Sequence, residues 1–305
     1  MANDTLLELV DAAAGELGLV APTTVIDSTI AQTQQYLRLI NAAGRELCRV
    51  HEWQALQVEY RFTTQYLTTT GTVVSGSPIV TAIPTTAALA AGTWQAVGTG
   101  INQDTYISTV DSGTQVTLTQ NATASGTAQA ITFAQTKYTL PSPFDRSVDN
   151  TQWDKSKHWI MLGPETQQQT EWLKSGYIAT GPRIRYYFQD GYLQLWPPVT
   201  SNEYLGLNYI TNNWVIATGG TSPTKTKFTV DTDTCVFPNR LMVLALKLKL
   251  FEIKGFDTTA LYRDYTAQLG IAKANDSGSQ TLSMAPTPSD ILVGWDNVPD
   301  SGYGT

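Results

Sequence analysis

The residues of this 305-residue chain with the most chemical potential are two histidines, two cysteines and a few grouped carboxylates. His51 and His158 are far apart, and neither has a cysteine or second histidine at ligand spacing. A metal site would have to rest on carboxylates, and the densest pair is Asp231-Thr232-Asp233. It resembles the start of a calcium loop but lacks the glycine and distal glutamate that such a loop needs, so a solvated loop is the preferred reading. Gly98-Thr99-Gly100 is a lone GxG, better explained by a hairpin turn than by a dinucleotide site. Walker loop, nucleophile elbow and Cys/His pair are all missing. Cys48 and Cys235 make neither a disulfide framework nor a zinc knuckle, and Cys48, within a helical pattern, reads as a small buried hydrophobe. A glycosidase needs only two carboxylates placed by the fold. Glu165, Glu171 and Asp154 lie near Trp153, Trp159 and Trp172, whose rings could stack on sugars. The same tryptophans serve as core or interface anchors, and that is the preferred reading. The expectation is no catalytic residue, no metal and no cofactor.

Charge narrows the partners. There are 26 acidic residues against 19 Lys and Arg, a net charge of −7, and the sequence displays no Lys/Arg cluster of the kind a DNA-gripping module carries. An acidic surface does suit a lumen through which DNA slides without sticking. Charged residues make up only 15 % of the chain, and the polar remainder is Thr, Ser, Gln, Asn and Gly, a mixture that favours β-rich surfaces and protein contact. Met1-Ala2-Asn3-Asp4 is not the opening of a signal peptide, and no apolar run is long enough to span a bilayer. Synthesis in the cytoplasm, solubility and no membrane partner are expected.

The elements that would position these residues follow from periodicity. Leu6, Leu9, Val10, Ala13 and Leu17 predict a helix over 4–19, closed by Gly18 and Pro22. A longer helix, capped by Asp27 or Ser28, carries Ile30, Leu37, Ile40, Gly44 and Leu47 on one face. Glycine on that face points to close packing against another helix. Alternation from Trp53 to Phe62 predicts a strand. From Leu67 to Gln135 there is no Lys or Arg, Asp104 and Asp111 are the only acids, and short β-type runs alternate with glycine-rich breaks. This predicts an inserted Thr-rich β-sandwich. A strand ending at Pro141, a short helix through Trp172 and a β-meander follow: Arg183–Phe188, a turn at Asp190-Gly191, Tyr192–Trp196 and Tyr204–Ile210. Pro238 opens a helix whose stripe is Leu241, Leu244, Ala245, Leu248 and Phe251, with Gly255 as its C-cap and a second helix from Asp257. Residues 277–305 are Gly/Ser/Pro-rich, with apolar anchors at Ile291, Leu292, Val293 and Trp295. Such a tail is suited to lie extended on a partner.

Several of these segments also carry a resemblance. The run from Leu37 to Leu47 ending in His51-Glu52-Trp53-Gln54-Ala55-Leu56 resembles the opening of the podophage head–tail adaptor family, the tail-tubular-A type of connector. Tyr138-Thr139-Leu140-Pro141, Phe144-Asp145-Arg146, Trp153-Asp154-Lys155, Leu162-Gly163-Pro164, Asp231-Thr232-Asp233 and Phe237-Pro238 follow in the family's order. Order and spacing carry the likeness, which covers most of the chain outside the insertion. It implies a helical bundle with a smaller β-region and no catalytic residues. It also implies a dodecameric ring of twelve copies between portal and nozzle, through which DNA is ejected. The insertion is a departure from simpler members and is placed on the outside of the ring.

The expected fold is therefore α+β: a bundle of about four helices, a small β-meander and an inserted β-sandwich. Residues 1–66 and 136–276 form the adaptor core, 67–135 the insertion and 277–305 an extended C-terminal arm. The expected function is a virion head–tail adaptor, with the portal protein, the tail nozzle protein, further copies of itself and tail fibres as neighbours. Ile291, Leu292, Val293 and Trp295 would anchor the arm to the portal or an adjacent subunit, and Leu241, Leu244, Leu248 and Phe251 would form a subunit-packing helix. Two alternatives remain: a receptor- or glycan-binding decoration protein using the Thr-rich region, and a virion peptidoglycan hydrolase using carboxylates such as Glu165.

Overall fold

The computed structural model describes residues 3–175 and 183–276. Its helices are α1 (Leu6–Glu16), α2 (Ala31–Val50), α3 (Gln167–Lys174), α4 (Asn239–Lys254) and α5 (Thr259–Asp276). The first strands are β1 (Gln57–Thr63), β2 (Tyr66–Val73), β3 (Ile79–Thr81), β4 (Trp94–Gly98), β5 (Ile107–Ser112), β6 (Gln115–Leu118), β7 (Gly126–Gln135), β8 (Lys137–Thr139) and β9 (Phe144–Ser147). They continue as β10 (Trp153–Asp154), β11 (Trp159–Ile160), β12 (Arg185–Gln189), β13 (Tyr192–Trp196), β14 (Tyr204–Thr211), β15 (Val215–Ile216), β16 (Pro223–Lys225) and β17 (Thr234–Cys235). Strand accounts for 31 % of the described residues and helix for 28 %, with the strands in four antiparallel sheets. The expectation of a helical bundle with a small meander is thereby corrected: the fold is β-rich.

The chain divides into two units, one containing residues 3–58, 143–147 and 209–276 and the other 59–142, 148–175 and 183–208. In the first, α4 is the hub, and α1, α2 and α5 each pack against it. Its apolar content explains this position: Leu241 to Leu246 are all buried, as are Leu248 and Leu250. Gly255 ends the helix in the left-handed conformation at φ 72°, which glycine adopts without strain. Gly44, by contrast, does not face another helix. A Cβ there would lie 2.3 Å from the Trp214 indole, so the missing side chain makes room for a ring. Trp214 is fully buried, meets Phe228 edge-on at 5.0 Å and donates its indole N–H to the Thr226 carbonyl at 2.9 Å. A three-stranded sheet in the order β16-β15-β17 and the pairing of Tyr209 on β14 with Ser147 on β9 complete this unit.

In the second unit the Asp190-Gly191 turn has φ 54° and 77°, the two positive values that a tight hairpin between β12 and β13 requires. The third strand of that sheet is β8 rather than β14, with Leu193 opposite Tyr138. The expected meander is thus a hairpin extended by a strand from much earlier in the chain. The early part of β14 pairs elsewhere, with Gly206 opposite Trp153 on β10.

The Thr-rich stretch forms one six-stranded sheet in the order β4-β7-β2-β3-β6-β5. Its edges meet: Gln95 on β4 bridges Tyr106 beside β5, and Ala96 N–H donates to the Thr105 carbonyl at 2.8 Å. A single sheet rolled into a barrel replaces the expected two-sheet sandwich. The core is made by one face of the strands, with Val73, Val80, Trp94, Ile107, Ile131 and Phe133 all buried. Closing the sheet on itself removes the exposed edges that would otherwise template aggregation.

Candidate functional site

The residues singled out for chemistry are bound into the fold. Asp231 accepts hydrogen bonds from Val25 and Ile26 N–H and the Thr24 hydroxyl, at 2.6 to 3.1 Å. Asp233, with a fully buried side chain, accepts from Thr229 and Val230 N–H at 3.0 Å and from Lys225 Nζ at 2.8 and 2.9 Å. Burial pushes both carboxyls up, but these donors outweigh it and hold them below the usual carboxylate range. The expectation of a solvated loop is thereby corrected: the two acids tie loops together, with the Asp233 side chain fully buried and the oxygens of both already hydrogen-bonded. Among the described residues no group of three or more His, Cys, Asp or Glu side chains is placed to hold a metal.

His51 contacts Asp276 at 3.3 Å and lies edge-on to Trp53, while His158 occupies a turn at φ 56°. Burial pushes the Cys48 and Cys235 thiols up to about 12, far from the range of a reactive thiolate. Glu165 is ion-paired with Arg185, and Asp154 accepts N–H bonds from Ser156 and Lys157 at 3.0 and 3.1 Å. Trp153 and Trp172 are exposed and Trp159 is half-buried. Gly98 ends β4 opposite Ile131, and Gly100 lies in the turn that follows, with φ 77°.

Leu241, Leu244 and Leu248 are buried inside the chain's own helical layer, with no surface left for a neighbouring subunit. Phe251 differs. Together with Leu17, Leu19, Ala31, Leu250 and Phe256 it lines an apolar groove of about 590 Å³ where α1, α2 and α4 meet. Ile30, beside Ala31, and Phe256 are 61 % and 59 % exposed. Lys254 stands among the lining residues and has no ion-pair partner among the described residues. Ile291, Leu292, Val293 and Trp295 lie outside the described residues, as does the whole arm 277–305.

A second surface corrects the sequence reading that no Lys/Arg cluster exists. Arg38, Arg45 and Arg49 are all exposed on α2. At 100° per residue they fall within about 40° of one another around the helix axis, in a line about 16 Å long. Arg45 and Arg49 line a cavity of about 400 Å³ with Glu46, Cys48, Asn212 and Thr226. Lys227 is exposed next to Thr226, and the following Phe228 N–H donates to Asn41 on α2 at 2.9 Å. None of these four cations has an ion-pair partner among the described residues. Spacings of seven and four scatter the arginines in sequence and align them on a helix, and that periodicity was the signal available to find them.

In the second unit a cleft of about 350 Å³ is lined by Gln95, Ile101, Asp104, Trp196, Pro197 and Pro198, among others. Burial pushes the Asp104 carboxyl up despite Lys174 at 3.4 Å. The Gln95 side-chain amide oxygen, Oε1, and the Trp196 indole N–H are buried without a partner among the described residues.

No protein-family model matches the chain, and no curated protein matches it in sequence.

Proposed function

We propose that the chain is a structural head–tail adaptor of a short-tailed bacteriophage, a ring subunit joining portal to nozzle around the DNA channel. The observation that carries this reading is the apolar groove between α1, α2 and α4. Contiguous exposed apolar surface is uncommon on a monomer and marks a contact to be covered on assembly. Its occupant is the Ile291–Trp295 segment of a neighbouring copy. That segment brings three aliphatic side chains and an indole, flanked by Asp290 and Asp296, which complement Lys254, a cation without an ion pair among the described residues. About fifteen residues separate Asp276 from Ile291, an extended reach of roughly 50 Å, enough to cross to an adjacent subunit. A ring closes through head-to-tail contacts between two different surfaces, and groove and arm supply such a pair. The family-like order of motifs from Leu37 to Pro238 supports the same reading.

The test is to mix the purified protein with the portal ring of the same phage and image the product by electron microscopy. A second ring stacked under the portal around an open channel is expected. Phe256→Asp, at an exposed groove position, and deletion of 285–305 should each prevent that ring while the subunit stays folded by circular dichroism. Normal assembly of the truncated protein would remove the arm from the mechanism. Failure of the intact protein to bind a well-folded portal would end the adaptor reading.

The cleft holding Gln95 and Trp196 favours a second reading, a glycan-binding decoration protein. Retention of the full chain on a glycan array, lost on Trp196→Phe, would support it.

A further inference from the structure

We infer that the outer face of α2 is a binding surface for the phosphate backbone of duplex DNA. The inference goes beyond the adaptor proposal and stands apart from it. A chain that ignored the portal could still bind DNA, and one that docked there could leave these arginines unused.

Acids outnumber bases in this chain, 26 to 19, so a cation should readily find a partner. Most do: Arg61, Arg146, Arg185, Arg240, Lys225, Lys247 and Lys249 are all ion-paired within their own unit. Among the described residues Arg38, Arg45 and Arg49 are exceptions that share one helix face, and Lys227, next to Thr226 of the adjoining cavity, is a fourth cation without an ion pair. The acid nearest the stripe in sequence, Glu46, is turned onto Lys249 at 2.7 Å, and Asp145 onto Arg146 at 2.8 Å. Two of the nearby carboxylates are thus already neutralised by other cations, Glu52 lies beyond the end of the helix, and the three arginines keep their charge.

The shape of the charge indicates the ligand. Three guanidinium groups in a line of about 16 Å match a rod-like polyanion better than a compact anion. Duplex DNA carries one charge per roughly 1.7 Å of axis, so such a line lies against several phosphates at once. Guanidinium is weakly hydrated and donates in a planar fork that fits phosphate oxygens. The cavity beside Arg45 and Arg49 adds the polar side chains of Asn212 and Thr226, the uncharged donors that commonly accompany phosphate contacts, and its one carboxylate, Glu46, is paired with Lys249. Nothing in this arrangement reads base edges, so binding is independent of sequence.

The experiment is fluorescence anisotropy of a labelled 30-base-pair duplex titrated with full-length protein between 50 and 200 mM salt. Four phosphate contacts give a slope of log K against log salt of about −3.6, a fall in affinity of roughly a hundredfold over that range. Arg38→Gln, Arg45→Gln and Arg49→Gln combined should flatten the slope to about −1, the value for Lys227 alone. The three arginines changed to lysine instead should keep most of it. All three sites are exposed, so the variants should melt like the parent. No binding at 50 mM salt, or binding untouched by the triple glutamine variant, overturns the inference. So does preference for a polyglutamate peptide over the duplex, which would identify an acidic protein as the partner.

Discussion

The helical unit and the Thr-rich barrel make their cores by opposite means. Around α4 the core is assembled from large side chains brought together from distant segments, with Gly44 cut back to admit the Trp214 ring. In the barrel the core is the inner face of six consecutive strands, filled mainly by Val, Ile and Leu around Trp94 and Phe133, and nearly free of charge. One core depends on a single tight fit between remote residues. The other depends on a sheet closing on itself, with large side chains such as Phe133 filling its inner face.

The largest effect that can sharpen this contrast is truncation inside the barrel. Phe133 is fully buried, and Phe133→Ala should cost about 3–5 kcal/mol through lost transfer energy and the cavity left behind. Hydrogen exchange should then show faster exchange in β2, β4 and β7, while α2 and α4 keep their protection. Equal loss of protection in both units would show that the cores are not separate cooperative bodies. Gly44→Ala is the matching change in the helical unit. Its Cβ would lie 2.3 Å from the indole, so a gain in helix propensity of up to about 1 kcal/mol is outweighed by overpacking, and a net loss of about 2 kcal/mol is expected in urea. Trp214→Phe on the same background should recover part of it.

Acid separates the two regions by sign. The folded Asp231 and Asp233 carboxyls are held below their unfolded value, so their stabilisation is present above about pH 4 and disappears as pH falls through the depressed folded values. Asp104, in the other unit, is raised. Folding takes up a proton there, and stability gains as pH falls from its raised value towards the unfolded one. Acid titration followed by the fluorescence of Trp214 and the near-ultraviolet signal of the barrel should therefore loosen the helical unit first. Asp233→Asn should cost about 2 kcal/mol at neutral pH, because Lys225 loses its counter-charge, and should blunt the acid transition. If the variant retained the parental transition, loop-tying by Asp233 would be the wrong explanation.

Legibility in the sequence follows the same contrast. Contacts made within one element were largely readable: the Gly255 cap, the Asp190-Gly191 turn and most of the α1, α2 and α4 stripes rest on residues a few positions apart, although Ile30 at the start of α2 is exposed and Phe251 is only half-buried. Pairings set by distant segments were not. Nothing near Gln95 announces Tyr106 as its bridge, which is why a rolled sheet read as a sandwich. Nothing in Tyr192–Trp196 names β8 as its neighbour rather than β14. Of the candidate surfaces, the arginine line was written at spacings of seven and four but overlooked as a scatter of single residues. The groove required α1, α2 and α4 to be assembled before it existed.

The smallest expected effect concerns a capping residue expected to be Asp27 or Ser28. The N-cap of α2 is Ile30, with no side-chain hydrogen bond to the first turn, although Thr5 gives α1 a full capping box. An exposed isoleucine there forgoes a stabilisation typically worth about 1 kcal/mol. Ile30→Asp should restore it, since a carboxylate can accept the free N–H groups and also meets the positive end of the helix dipole. The midpoint of thermal unfolding should rise by a few degrees. The same substitution puts a charge beside Ala31 in the apolar groove and should weaken ring formation under the portal. A variant that is both more stable and assembly-deficient would mean that Ile30 is kept for contact at the expense of the helix. If it gains stability and assembles normally, the groove extends no further than Ala31, and the arm is seated by Phe251 and Phe256 without help from the start of α2.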